Sequence, residues 1–196
     1  ICLATMCRIG ELLQSQWKDV DLTEGVWFVP KENVKGGKGL KKSQTVALSA
    51  FALRQFKELH ALTGATPYCF PNTQRDGHVD LKSVTKIVGD CQAMFKTQKK
   101  ALKGRRNDNS LVLNDGRDGN WTPHDLRRTG STMLQALGED TNMIDRCQNH
   151  KIDEPKTRAH YMHFKYRLTK RKIWERLGLE IENILAGKPD WQDQYS

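Results

Sequence analysis

Apolar positions run in two rhythms along this chain, and the change between them comes early. Ile9, Leu12 and Leu13 recur at helical spacing, and the uncapped apolar run Ile1-Cys2-Leu3-Ala4 before them places the start of the chain inside or just ahead of a helix. Trp17, Val20 and Leu22 lead out of it toward a short strand over Val26 to Val29, and Thr45-Val46-Ala47-Leu48 reads as a second strand. Between the two, from Lys31 to Lys42, the composition turns to lysine and glycine, which predicts a basic β-hairpin. From there the period is helical. Ser49 is placed to cap a helix with Leu53, Phe56, Leu59 and Leu62 on one stripe and Gly64 at its end. Tyr68 to Pro71 reads as a short buried segment, and Leu81, Val84, Ile87 and Val88 mark a further amphipathic helix.

The second half of the chain has the clearest helix start. Thr122 suits the N-cap and Pro123 the first helical position, where a missing N–H is no loss. Met133, Leu134 and Leu137 carry that helix on to Gly138. A short helix follows from Asp140 or Thr141 with Met143, Ile144 and Cys147, ending at Gln148-Asn149-His150. Pro155 to Tyr161 begins another. Tyr166 to Ala186 is a long charged helix with Leu168, Trp174, Leu177, Ile181 and Leu185 as its apolar positions, broken at Gly187-Lys188-Pro189, and its first half is expected to pack on its own domain. The expectation is an α+β chain, mainly α, with a small antiparallel β-sheet or hairpin near the N-terminal part. At 196 residues and 37% hydrophobic content it can bury one core.

Charge changes this picture more than composition does. The net charge of +9 and a pI near 9.4 point to an acidic partner, nucleic acid before membrane, since no apolar run approaches the length needed to span a bilayer. Cys2, Cys7, Cys69, Cys91 and Cys147 are odd in number and show no paired spacing, so they read as reduced core thiols of a cytoplasmic protein. His160 and His163 lack a partner at a ligand spacing, and no metal site is expected. The run Lys96, Lys99, Lys100, Lys103, Arg105 and Arg106 is either a solvated loop or a set of phosphate contacts.

The candidate chemistry is spread from end to end: Arg8 in RIGEL, lysines in the hairpin, His124 and Arg127 in HDLRRT, His150 in QNHK and Tyr161 in RAHYMH. A phosphodiester resists attack because of its charge and its poor alkoxide leaving group. Two arginines and imidazole N–H groups could stabilise the charge that builds in a pentacoordinate transition state. A tyrosine hydroxyl can attack and keep the bond energy in a phosphotyrosyl ester, while a lysine protonates the departing oxygen. No metal or cofactor is needed for this set.

In that order these motifs strongly resemble the tyrosine recombinases, the phage integrase family whose catalytic core is shared with type IB topoisomerases. The resemblance covers nearly the whole chain and is greatest to integrases of prophages and genomic islands. It implies a helical catalytic domain over residues 1–187 with its N-terminal start truncated, no preceding core-binding domain, and a C-terminal tail over 188–196. Tyr161 is then the nucleophile, Arg8 and Arg127 clamp the scissile phosphate, and His124 and His150 donate hydrogen bonds to it, His124 also moving a proton. Glu11 and Asp125 take supporting roles. For the hairpin lysine, counting forward from Trp27 and Pro30 gives Lys35 and counting back from the second strand falls nearer Lys38; Lys35 is taken. Lys38, Lys41, Lys42, Lys99, Lys100, Lys103, Arg105, Arg106 and Arg128 are candidates for contacts with the DNA backbone. Met6, Cys7 and Gln148 depart from the family pattern, and none is expected to touch a reacting group.

The implied activity is site-specific DNA recombination, integrating or excising a mobile element. Type IB topoisomerase-like cleavage and religation, or a non-catalytic DNA-binding module derived from an integrase, are the alternatives. The implied partners are double-stranded attachment sites, on which the protein forms a tetramer although monomeric alone, with room for accessory DNA-bending or excisionase proteins and no membrane. The setting is the bacterial cytoplasm, at the nucleoid when acting.

Overall fold

A computed structural model of the chain describes residues 1–35, 42–97, 104–150 and 163–188. Among these the order is α1 (Cys2–Thr5), α2 (Ile9–Leu13), β1 (Val20–Asp21), β2 (Val26–Val29), β3 (Gln44–Ala47), α3 (Ala50–Thr63), α4 (Leu81–Asp90), α5 (Pro123–Ala136), α6 (Thr141–Cys147) and α7 (His163–Leu185), with short 3-10 turns between. The mainly helical α+β class is the one expected. The predicted helix at Pro155 to Tyr161 lies outside the described residues, as do Lys38, Lys41, Lys99, Lys100, Lys103, Tyr161 and 189–196.

The strands form one antiparallel sheet in the order β1-β2-β3, with Trp27 opposite both Val20 and Val46. Alternation decides its faces: Trp27 and Val29 point into the core, and Phe28 points out. Trp27 packs on Phe56 of α3 with ring centroids 5.9 Å apart. Ser49 caps α3 as its sequence demanded, its hydroxyl accepting from the Ala52 amide at 3.3 Å. The α3 stripe is shorter than the sequence implied, because Phe56 is fully buried while Leu62, near the end of the helix, is 79% exposed. The same correction applies to α4, where only Val84 and Val88 are partly covered and Leu81 and Ile87 face solvent.

The long helix α7 is the floor of the domain. Ile173, Trp174, Leu177 and Ile181 are buried against α1, α3, α5, α6 and β3, so it packs on its own domain well beyond its first half. Trp174 also donates its indole N–H to the Thr5 carbonyl at 3.1 Å, which ties α7 to the first turn of the chain. Above it, α5 crosses α1 closely enough that only glycine fits at position 130. A Cβ there would lie 2.8 Å from Met6 Cγ and 3.0 Å from the Leu3 carbonyl oxygen. All five cysteines are buried and free.

The start of the chain departs from a simple helix. Met6 stands at φ 51°, ψ 25°, a left-handed conformation that ends α1, and Arg8 is extended at φ −76°, ψ 137° before α2 begins. A non-glycine residue in that region is uncommon and carries strain. The packing of a fully buried Met6 side chain against α5 holds it there.

Candidate active site

The break between α1 and α2 creates the first half of the site. Because Arg8 is the N-cap of α2, its main-chain N–H is free to donate to Glu11 Oε2 at 3.0 Å, and its Nη1 donates to Glu11 Oε1 at the same distance. Glu11, 6% exposed, therefore grips Arg8 at both ends. Arg8 and Glu11, three residues apart, thus pair across a helix cap, where an intrahelical pair would lie along the helix surface.

Arg127 supplies the second half. Its helix starts as read from the sequence, with Thr122 at the N-cap and Pro123 opening the first turn, and the structure adds a reciprocal cap in which the Thr122 amide donates to Asp125 Oδ2 at 2.8 Å. One turn on, Arg127 is 3% exposed. Its Nη1 donates to the Met6 carbonyl and its Nη2 to the Gln148 carbonyl, each at 2.6 Å. Nη2 also lies 3.0 Å from His150 Nε2. Burial, reinforced by the charge of Arg8 and opposed by that of Glu11, brings its pKa down to about 10. Two guanidinium groups thus repel each other at this site, and the oxygen acceptors that hold Arg127 are neutral carbonyls.

Met6 and Gln148 are a correction to the sequence reading, which gave them no contact with a reacting group. Both act through main-chain oxygens, which no side-chain pattern reveals. Gln148 also reaches back, its Nε2 donating to the Arg127 carbonyl at 3.3 Å and to the Ser131 hydroxyl.

His150 follows α6 and a left-handed Asn149 at φ 56°. Its Nδ1 lies 2.8 Å from Asp145 Oδ1, so Nδ1–H donates to the carboxylate and Nε2 is left facing Arg127 as an acceptor. Asp145 escaped sequence reasoning, although an acid five residues before a histidine that follows a helix is a visible signal. His124 is exposed beside this group. Lost hydration, then the charges of Arg128 and Arg127, hold its imidazole below its ordinary value, with Asp125 acting in the opposite sense. The imidazole is therefore neutral at neutral pH and can accept a proton.

Arg8, Glu11, His124, Arg127 and His150 therefore converge from three separate stretches of the chain. Lys35 and Lys42 are exposed at the two described ends of the hairpin, and Arg128 and Arg106 are surface groups paired with Asp125 at 3.2 Å and Asp108 at 3.0 Å. Arg105 is different: with Lys96 it pairs to Asp90, which is buried at the end of α4, so it is held inward. The cleft behind the site is lined by Thr5, Cys7, Glu11, Gln44, Arg127 and Asn149 among others.

The sequence profile of the phage integrase family matches residues 1–167. No curated protein sequence matches at a significant level. Among solved structures, the XerA recombinase shares the fold with a TM-score of 0.55 and 21% identity, over 85% of this chain and 54% of its own. The Tn1549 transposon integrase in complex with a circular intermediate DNA gives 0.54 and 15%, over 84% and 56%. A second such complex gives 0.53 and 16%, over 83% and 55%. The chain spans about half the length of these solved relatives.

Proposed function

Because this chain belongs to the phage integrase family, we propose that it carries the catalytic centre of a site-specific DNA recombinase that integrates or excises a mobile element. The observation that supports this most is the convergence of Arg8, Arg127 and His150 from distant parts of the chain, with Arg127 Nη2 3.0 Å from His150 Nε2 and Arg8 within electrostatic reach. Such a centre binds an anion because it relieves the repulsion between the two guanidinium groups.

The reaction follows from that charge. Tyr161 Oη attacks the scissile phosphorus, its proton passing to the neutral imidazole of His124. Arg8 and Arg127 hold the non-bridging oxygens as the phosphorus becomes pentacoordinate. His150, expected from the sequence to donate to the phosphate, has Nδ1 on Asp145 and Nε2 on Arg127 and so orients Arg127 instead. The bond to the 5′ oxygen breaks, and Lys35 gives that oxygen a proton, which leaves a 3′-phosphotyrosyl ester and a 5′ hydroxyl. Attack by the 5′ hydroxyl of a second strand runs the same steps backward and completes the exchange. The two guanidinium groups supply the positive charge, so the scheme calls for no metal or cofactor.

Residues 1–187 are then the catalytic domain. The proposed substrate is a double-stranded attachment site, the working assembly four chains on two sites with accessory DNA-bending proteins, and the setting the bacterial nucleoid. The Tn1549 integrase complexes with DNA support the choice of partner. A nicked suicide substrate carrying the attachment site tests the scheme. The full-length protein is expected to form a covalent adduct with it, and Tyr161→Phe to form none. An adduct that survives Tyr161→Phe refutes the choice of nucleophile, and relaxation of site-free supercoiled DNA without recombinant product replaces recombination with topoisomerase action.

A further inference from the structure

We propose that Asn149 is a positioning residue that moors the lysine-bearing β2–β3 hairpin to the histidine loop, and so sets where the general acid stands. The inference rests on the recombinase reading above and adds to it a physical link between two of its catalytic parts.

Two hydrogen bonds carry the link, and they run in opposite directions. The Asn149 side-chain amide donates to the Lys42 carbonyl at 2.9 Å, and the Gln44 side-chain amide donates to the Cys147 carbonyl at 2.5 Å. Lys42 and Gln44 lie at the start of the returning strand β3, where Gln44 pairs with Val29 at the end of the outgoing strand β2. Lys35 leaves the hairpin from that outgoing side. Cys147 and Asn149 lie on the approach to His150. The base of the hairpin is therefore clasped to the loop that presents His150, across more than a hundred residues of chain.

The backbone explains why asparagine suits this position. At φ 56° the residue is left-handed, a conformation that glycine adopts freely and asparagine tolerates better than most. Glycine would keep the turn and lose the amide. Asparagine keeps the turn and adds a donor that reaches the hairpin. Both amides line the cleft that also contains Glu11, Arg127 and Gln148, so the mooring lies beside the charge centre.

A displaced hairpin affects one step above all. When Tyr161 Oη bonds to phosphorus and the 5′ oxygen departs, the lysine Nζ must deliver a proton to that oxygen and become a neutral amine. A substrate with a 5′-bridging sulfur removes this need, because a thiolate leaves without a proton. Leaving-group dependence therefore separates acid placement from general disruption.

The test is single-turnover cleavage by full-length Asn149→Gly on matched 5′-oxygen and 5′-sulfur suicide substrates. Cleavage of the oxygen substrate is expected to slow by about tenfold or more, the scale of one lost hydrogen bond acting on a step worth far more, with the sulfur substrate nearly unaffected. Asn149→Asp keeps the turn and opposes the Lys42 carbonyl with a carboxylate, so it should show the same selective loss even if the glycine variant folds poorly. Equal slowing on both substrates, or slowing on neither, overturns the mooring. Failure of the unsubstituted protein to form an adduct with the sulfur substrate overturns the recombinase reading itself.

Discussion

Arg127 and Arg105 are both arginines held inward, yet they are held by opposite means. At Asp90 the carboxylate pairs directly with Lys96 and Arg105, and the Lys96 hydrogen bond, followed by the pairing with Arg105, keeps its acid form disfavoured. Arg127 is gripped by the Met6 and Gln148 carbonyls, and the carboxylate whose charge acts on it, Glu11, has both oxygens on Arg8. The first arrangement satisfies its cations, whereas the second positions a cation and leaves its charge for a ligand. A basic stretch in sequence is thus a poor guide to where an anion binds, and the acceptor type is a better one.

The sharpest way to break this contrast is to change each arginine to lysine. A lysine at 127 cannot fork to two carbonyls and still face a phosphate. Arg127→Lys is expected to slow single-turnover cleavage by about 10²–10³-fold, the range for removing a preorganised donor. Arg105→Lys, whose partner is a carboxylate that any cation satisfies, should stay within severalfold. Equal losses would end the distinction.

Paired glycine substitutions examine the carbonyl side. A Cβ at Gly130 would meet Met6 Cγ at 2.8 Å and the Leu3 oxygen at 3.0 Å, so Gly130→Ala drives α5 away from the strained turn that offers its carbonyl to Arg127. Overpacking of this kind costs about 1–3 kcal/mol. The melting temperature should drop and cleavage with it. Gly89, in α4 next to Asp90, has nothing within 4 Å of an added Cβ, and Gly89→Ala should leave both unchanged or slightly raise stability.

These regions also separate what was legible in the sequence from what was not. Caps were legible because Ser49, Thr122 and Pro123 act within one turn of themselves, although the reciprocal bond from Asp125 was not foreseen. The strands were legible because Trp27 and Val29 alternate against one core face. The residues that meet at the charge centre were identified by their motifs, yet the contacts that hold them were hidden. Met6 and Gln148 work through main-chain oxygens, and the left-handed turn at Met6 has no glycine to announce it. The exposed Leu62 and Ile87 were misjudged because a helical stripe is buried only where another element covers it. Asp90 was missed for a related reason, since its partners in sequence order are Lys96 and Arg105, and only the fold turns them inward.

Asp90→Asn converts the satisfied cluster toward the unsatisfied kind. Removing the carboxylate leaves Lys96 and Arg105 without their shared anion, so the protein should melt at a lower temperature. Its affinity for DNA should rise at low salt and fall more steeply as salt increases, provided that face meets the backbone. Unchanged affinity and salt slope would assign the Asp90 cluster to structure alone and confine DNA contact to other surfaces.

The smallest expected effect lies at His124, which is neither buried like Arg127 nor paired like Arg105. Its imidazole is held below the ordinary value of 6.5 by lost hydration and by the charges of Arg128 and Arg127. In the window just below 6.5 the unfolded chain therefore binds this proton more readily than the folded one, and folding stability from this group falls as pH drops through it. The same protonation would remove the proposed acceptor for the tyrosine proton, so single-turnover cleavage should decline on the acid side with a midpoint under 6.5. Arg128→Ala removes one of the depressing charges and should move that midpoint upward, while leaving the plateau rate within severalfold. A downward move would mean that the limb belongs to another group, and the proton-accepting role would pass from His124 to a residue outside this charge field.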